Sequence, residues 1–155
     1  MSDLTFAIQA RWAGSGIHGE GKIEAGGQVI HYSAPATMGG KGVGTSPEEL
    51  LLAAVTACYS GTLFRVLQQA QLPVQEVSIH TVGIVENYPS ATRFSRLVVS
   101  PTVIGGQPAS EEAYVKAAHR ARELCFIGKT VRDYLDYAVG SVTIQAAAHI
   151  NAPAP

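Results

Sequence analysis

The sequence predicts an α+β fold with the element order βββ-α-ββ-α-β. Three observations carry this expectation. Residues 4–12 alternate apolar and polar side chains, as a half-buried strand does. Residues 46–67 join a helix-start signature to an apolar run too dense for a surface helix. Short turns bearing glycine and proline link the remaining strand-like segments, so the sheets should be antiparallel. No repeat and no dividing linker interrupts the 155 residues, so residues 1–150 are expected to form a single domain.

The first strand sets Leu4, Phe6, Ile8, Ala10 and Trp12 on one face and Thr5, Gln9 and Arg11 on the other. Ala13-Gly14-Ser15-Gly16 turns into a second strand, where Ile17 and Ile23 oppose His18, Glu20, Lys22 and Glu24. Residues 25–28 form another turn, and Val29 to Tyr32 a short third strand. Residues 34–45 make a loop rich in glycine (Gly39, Gly40, Gly42, Gly44).

The central helix then begins. Ser46 can cap the free amides, Pro47 suits the first helical position, and Glu49 completes a capping box. From Leu50 to Cys58 the helix is apolar on every side, which predicts a buried position through the centre of the fold. The run is shorter than the ~20 residues of a membrane span. The helix fades over residues 68–71 and stops before Pro73.

Val74 to Glu86 reads as a long strand, residues 87–90 as a turn, and Arg93 to Ile104 as the hairpin partner. A second helix follows, capped by Ser110, with Glu111 and Glu112 in its first turn. Its apolar stripe is Tyr114, Ala117, Ala118, Ala121, Leu124 and Cys125, and Gly128 is expected to end or bend it. Tyr134 to Ala148 is the last strand, and residues 151–155 a flexible tail.

The totals exclude some functions. A net charge of −1 supplies no electrostatic case for nucleic acid or an anionic membrane. The chain is 46% hydrophobic and only 15% charged, a lean supply for covering a small globule, which predicts an oligomer. Met1 to Phe6 lacks the basic segment and apolar core of a signal peptide, so the expected compartment is the reducing cytoplasm. Two cysteines there are free thiols or a reversible redox pair rather than a structural staple.

Two glycine motifs fail on context. Gly14-Ser15-Gly16-Ile17-His18-Gly19 has the letters of a dinucleotide fingerprint, but a strand follows where a helix is required. Gly39-Gly40-Lys41-Gly42 resembles a phosphate loop, yet Gly42 stands where serine or threonine is needed. The five histidines are scattered singly and the cysteines form no C-x-x-C pair, so no metal site is expected. Cys58 and Cys125 remain. Both could be small buried apolar residues. Each also lies on a helix that packs in the core, so they could face each other, and a disulfide would need Cα atoms about 4.4–6.8 Å apart.

Gly44-Thr45-Ser46-Pro47-Glu48-Glu49-Leu50, with Ala57-Cys58-Tyr59-Ser60 at fixed distance, resembles the G-T-N-P-E-E-L…A-C-F-S segment of the OsmC/Ohr family. Arg11-Trp12-Ala13-Gly14 with Gly19-Glu20-Gly21 is similar to that family's opening. Ala121-Arg122-Glu123-Leu124-Cys125 and Tyr134 to Val142 resemble its second-cysteine helix and closing strand. The resemblance implies the OsmC-like fold, an intertwined homodimer with sites at the subunit interface, and reduction of organic hydroperoxides without a cofactor. It assigns Cys58 as the peroxidatic thiol, Cys125 as the resolving thiol, and Glu48 as the carboxylate that holds an arginine beside Cys58. A thiol or dithiol reductant would restore the pair.

The chemistry asks for a Cys58 thiolate. Cys58 stands about three turns into its helix, beyond the reach of the dipole's first-turn effect, so a cation is expected to ionise it. The family's loop position aligns with Met38, which leaves Arg11, Lys41 and Arg65 as candidates. Without that arginine, the alternative is a non-catalytic protein of this fold that binds a small hydrophobic ligand at the dimer interface. It implies a Cys58 pKa near the ordinary ~8.5.

Overall fold

The computed structural model describes residues 1–147, which fall into two compact units, Met1–Leu51 and a second beginning at Leu52. Ala148 of the expected last strand, His149 and the expected 151–155 tail lie outside the described residues.

The first unit is an antiparallel sheet of three strands: β1 (Gln9–Ala13), β2 (Glu20–Ala25) and β3 (Gln28–Ser33), in that spatial order. Gly26 and Gly27 close the β2–β3 hairpin with φ of 56° and 76°, the paired left-handed geometry that suits the right-handed twist of two strands. Gly21 lies between its ladder partners Trp12 and Tyr32, whose ring centroids are 5.5 Å apart. A Cβ at Gly21 would run into the Tyr32 ring.

Two strand expectations need correction here. β1 starts at Gln9, not Leu4, and all five of its residues are exposed rather than half-buried. Its register pairs Gln9 with Glu24, next to the hairpin turn, so residues 4–8 run beyond the ladder with no strand partner among the described residues. Leu4, Phe6 and Ile8 are 74%, 84% and 67% exposed. The second strand also starts later than expected, because Gly16–His18 forms a 3-10 turn first.

The glycine loop is held by Ser33, whose buried hydroxyl donates to the Val43 carbonyl at 2.8 Å and accepts its amide at 2.7 Å. The Thr45 amide donates to the His31 carbonyl at 2.9 Å, which fixes where the next helix begins. That helix is α1 (Pro47–Gln69), and the unit boundary falls within it. Its capping box forms as the sequence predicts. The Glu49 amide donates to Ser46 Oγ at 3.1 Å, and the Ser46 amide donates to Glu49 Oε2 at 2.9 Å. Thr45 Oγ1 and Ser46 Oγ also donate to that carboxylate, each at 3.1 Å, and with the Ser46 amide they hold the Glu49 carboxyl below its ordinary pKa.

The second unit packs α1 with a four-stranded sheet and two further helices. β4 (Glu76–Ile84) and β5 (Arg96–Ile104) form an antiparallel hairpin in register from Glu76↔Ile104 to Ile84↔Arg96. α2 (Glu111–Leu124) and α3 (Phe126–Val131) cross over to β6 (Asp136–Val139) and β7 (Thr143–Gln145). A helical crossover returns the chain in the direction it left, so β6 and β7 both join β5 in parallel. The expected single last strand is therefore two. Proline at 101 has no N–H for the ladder, and the partner lets go opposite it, ending at Val139↔Val99 and resuming at Thr143↔Thr102.

The core combines Val55, Tyr59, Leu63, Val66 and Leu67 of α1 with Leu97, Val99 and Val103 of β5 and the stripe Tyr114, Ala117, Ala118 and Ala121 of α2. Burying each of the fully enclosed leucines contributes about 1.5–3 kcal/mol. Tyr114 ties the layers together by donating to the Pro73 carbonyl at 2.7 Å and accepting the Gln107 amide at 3.1 Å.

α1 is the core helix, but it is not enclosed on every side. Its opposite face exposes Ala53, Ala54, Ala57 and Gly61, because the sheet and α2 cover only one side. By length and composition alone its 23 residues would be enough to cross a membrane, and it is the one such helix among the described residues. Five of its residues are instead spent on the core of this unit.

Two helix-end expectations also change. Ser110 makes no side-chain cap, because the 3-10 turn Pro108–Ser110 supplies carbonyl partners for the amides. The helix breaks at Cys125, not Gly128, since Cys125 has an extended backbone (φ −58°, ψ 118°) and ends α2 while starting α3. Gly128 is needed for another reason: a Cβ there would collide with the Tyr137 ring. The variant Gly128→Ala should therefore lose about 1–3 kcal/mol of stability by overpacking, read as a lower urea midpoint with unchanged slope.

Candidate functional site

Both cysteines are free thiols, and both lie in the second unit. Cys58 is half-buried on α1, where it packs against the core cluster to which Cys125 belongs; Cys125 is fully buried. Their surroundings differ in kind. Cys125 occupies the corner between α2 and α3, and its Sγ accepts the Gly128 amide at 3.3 Å, acting as the N-cap of α3. This corner turns the free amides at the start of α3 towards the Cys58 thiol.

Burial is the largest influence on Cys58 and raises its pKa. The Ile127 amide, the Cys125 thiol, the Phe126 amide and the Thr62 hydroxyl together outweigh it, so the thiol sits below its ordinary value. Cys125 goes the other way. Burial raises it first, its hydrogen bond to Cys58 raises it further, and the Gly128 amide and Tyr137 hydroxyl offset only part, leaving it pushed up to about 11. Within the pair Cys58 is therefore the more acidic thiol and Cys125 the one that keeps its proton, with the Cys125 S–H donating to the Cys58 sulfur.

Two tyrosines close the sulfur pair from opposite elements. Tyr59 on α1 is fully buried and donates its hydroxyl to the Ala118 carbonyl at 3.1 Å. Tyr137 on β6 is 1% exposed, and burial beside the cysteines pushes its phenol up. Its hydroxyl adjoins Cys125 but makes no hydrogen bond of ordinary geometry. The Arg122 guanidinium lies 5.5 Å from the centre of the Tyr137 ring, and its Nε donates to the Tyr137 carbonyl.

The remaining sequence candidates fall elsewhere. Glu48 sits in the first turn of α1, and its Oε2 is buried with no hydrogen-bond partner among the described residues. Lys41 pairs with Glu20 at 2.7 Å. Arg11 lines an open depression on the first unit's sheet with Lys22 and Glu24. Arg65 is exposed on α1. Among the described residues, the groups that lower Cys58 are amides, a thiol and a hydroxyl, and none is a cation. These groups come from the first turn of α3, from Cys125 and from Thr62 on α1.

Sequence reasoning missed Phe126, Ile127, Tyr137 and Arg122. Backbone amides have no side-chain signature, and their use depends on the break at Cys125. Tyr137 reads only as an inward strand residue, and Arg122 as part of a polar helix face.

The OsmC-like protein family matches this sequence over residues 39–137. The chain belongs to the OsmC-like family. A Bacillus subtilis relative, the uncharacterized protein YmaD, is 28% identical over 153 residues, covering 97% of each chain. Among solved structures, the OsmC-like protein of Mycoplasma pneumoniae superposes with a TM-score of 0.74 at 16% identity, covering 93% of this chain and 99% of that one. The organic hydroperoxide resistance protein OhrB of Bacillus subtilis gives a TM-score of 0.62 at 19% identity, covering 90% and 98%. These likenesses show that the fold is the OsmC fold. Family membership points to a redox or peroxide-related role.

The asymmetry between the thiols should appear in a titration. Cys58 alkylation should have a midpoint below that of an ordinary cysteine, with Cys125 ionising only near pH 11. In Cys125→Ala one donor to Cys58 is lost, so the Cys58 midpoint should rise. Linkage follows the same signs. The Cys58 contribution to stability is present above the unfolded-state pKa and fades as pH falls through the folded value. The Cys125 contribution is present below the unfolded value and is lost as pH rises through about 11.

Proposed function

We propose that this protein is a cysteine-based peroxidase that reduces organic hydroperoxides to alcohols in oxidative stress defence. The observation that carries the reading is the unequal thiol pair: Cys58 held below its ordinary pKa beside a protonated Cys125. In the first step the Cys58 thiolate attacks the distal peroxide oxygen and the O–O bond breaks. The alkoxide takes a proton and leaves as alcohol, and Cys58 becomes a sulfenic acid. Cys125 then attacks the Cys58 sulfur, forming the disulfide and releasing water. A thiol or dithiol reductant supplies two electrons and two protons to restore both thiols.

The apolar residues around Cys58 on α1 suit the tail of an organic peroxide better than hydrogen peroxide. Glu48 is proposed to hold a cation for this site, and its buried, unpartnered oxygen supports that role. A ligand-binding protein without turnover would need no lowered Cys58, so the shift favours the enzyme. We place the protein in the cytoplasm, where reducing thiols are abundant.

Stopped-flow mixing with one equivalent of cumene hydroperoxide should consume both thiols of the wild type and form one intramolecular disulfide. Cys58→Ser should consume none, and Cys125→Ser should stop at a sulfenic acid trapped by dimedone. Survival of both wild-type thiols over minutes would sink the proposal.

We further propose a homodimer. Its support is the apolar surface left open in one chain: Leu4, Phe6, Ile8, Trp12 and the alanine face of α1. Sedimentation equilibrium should return twice the chain mass at micromolar concentration, and charges placed at Phe6 and Ala57 together should return the single chain.

A further inference from the structure

Among the described residues two buried side-chain oxygens have no hydrogen-bond partner, Glu48 Oε2 and Tyr137 Oη. A buried hydroxyl left without a partner is costly, so the second asks for a reason. Its position is tightly set. The edge of the Tyr137 ring closes over the Cα of Gly128, and Cys125 Cβ stands 3.2 Å from where a Gly128 Cβ would be. The Gly128 amide points at Cys125 Sγ at 3.3 Å. Arg122 anchors the same tyrosine, through its carbonyl and its ring. Tyr59, the other buried phenol here, has already spent its proton on the Ala118 carbonyl. Tyr137 therefore brings an uncommitted O–H to the flank of Cys125.

We infer that Tyr137 is a positioning residue for the resolving step, its hydroxyl donating to the Cys125 sulfur as that sulfur gives up its proton; the role rests on the peroxidase reading above. Before peroxide arrives, an ionised Cys58 opposes a second negative charge beside it, and Cys125 stays protonated. Oxidation of Cys58 to the sulfenic acid removes that charge. Burial then remains as the chief obstacle to a Cys125 thiolate, and the Tyr137 O–H and Gly128 N–H are the donors that offset it. Cys125 attacks the Cys58 sulfur, the S–S bond forms, and the S–O bond breaks. The departing hydroxide takes the proton that Cys125 lost and leaves as water. The titratable groups facing Cys125 are Cys58 and Tyr59 from α1 and Tyr137 from β6, with the Arg122 charge on the Tyr137 ring.

The test uses Tyr137→Phe, which keeps the ring over Gly128 and removes only the hydroxyl. In a Cys58→Ser background, with no peroxide, the pH midpoint of the Cys125 13Cβ shift should rise by about one unit when Tyr137 is replaced by Phe. A 3-fluorotyrosine at 137, a stronger donor of the same shape, should lower it. With Cys58 present and cumene hydroperoxide added, conversion of sulfenic acid to disulfide should slow about tenfold relative to the preceding oxidation of Cys58, the rate equivalent of that shift. A midpoint unmoved by both substitutions overturns the inference whatever the peroxide result. A shifted midpoint in a protein that forms no sulfenic acid overturns the peroxidase reading instead and leaves the hydrogen bond standing.

Discussion

The site depends on one corner of the chain, Cys125, where α2 stops and α3 begins. Its extended backbone frees the amides of the next turn, and its sulfur accepts one of them, from Gly128. The amides of Phe126 and Ile127 are then available to Cys58 on the central helix. One residue thus caps a helix, donates to the reactive thiol, and holds the sulfur proposed to resolve it. A straight helix through this point would satisfy those amides internally and leave Cys58 without them, while burial still disfavours a thiolate.

The corner is kept in shape by what presses on it. Gly128 leaves room for the Tyr137 ring, and Arg122 fixes Tyr137 from α2 by its carbonyl and ring. On the other side Tyr59 from α1 reaches the Ala118 carbonyl of α2, locking the two long helices at a fixed depth. Each of these contacts joins two different helices or strands, as expected of a rigid site built on secondary structure rather than loops. Cys125 consequently sits enclosed among apolar side chains beside the half-buried Cys58, with the Gly128 amide donating to its sulfur.

Charge plays a smaller part in this chain than the chemistry of thiolates led the sequence reading to expect. Lys41 is engaged by Glu20, Arg65 is exposed on its helix, and Arg11 belongs to the open sheet of the first unit. Surface ion pairs such as Lys41–Glu20 are screened by water and contribute little to stability. The groups that lower Cys58 are instead neutral donors close to its sulfur, the Ile127 amide foremost.

The sequence by itself determined the element order as far as α2, the capping box at Ser46 and Glu49, the β4–β5 hairpin and the pairing of Cys58 with Cys125 as candidates. These are local matters of periodicity, turn chemistry and residue type, readable from neighbours in the chain. What it misjudged were features that a distant partner decides. Residues 4–8 alternate correctly but run beyond the ladder, the last strand breaks opposite Pro101, and α1 has cover on one face only. The identity of the group that lowers the Cys58 pKa belongs to the same class. Only the tertiary structure could decide it, because the donors are backbone amides that every residue carries, made special by a break in one helix and the packing of another against it.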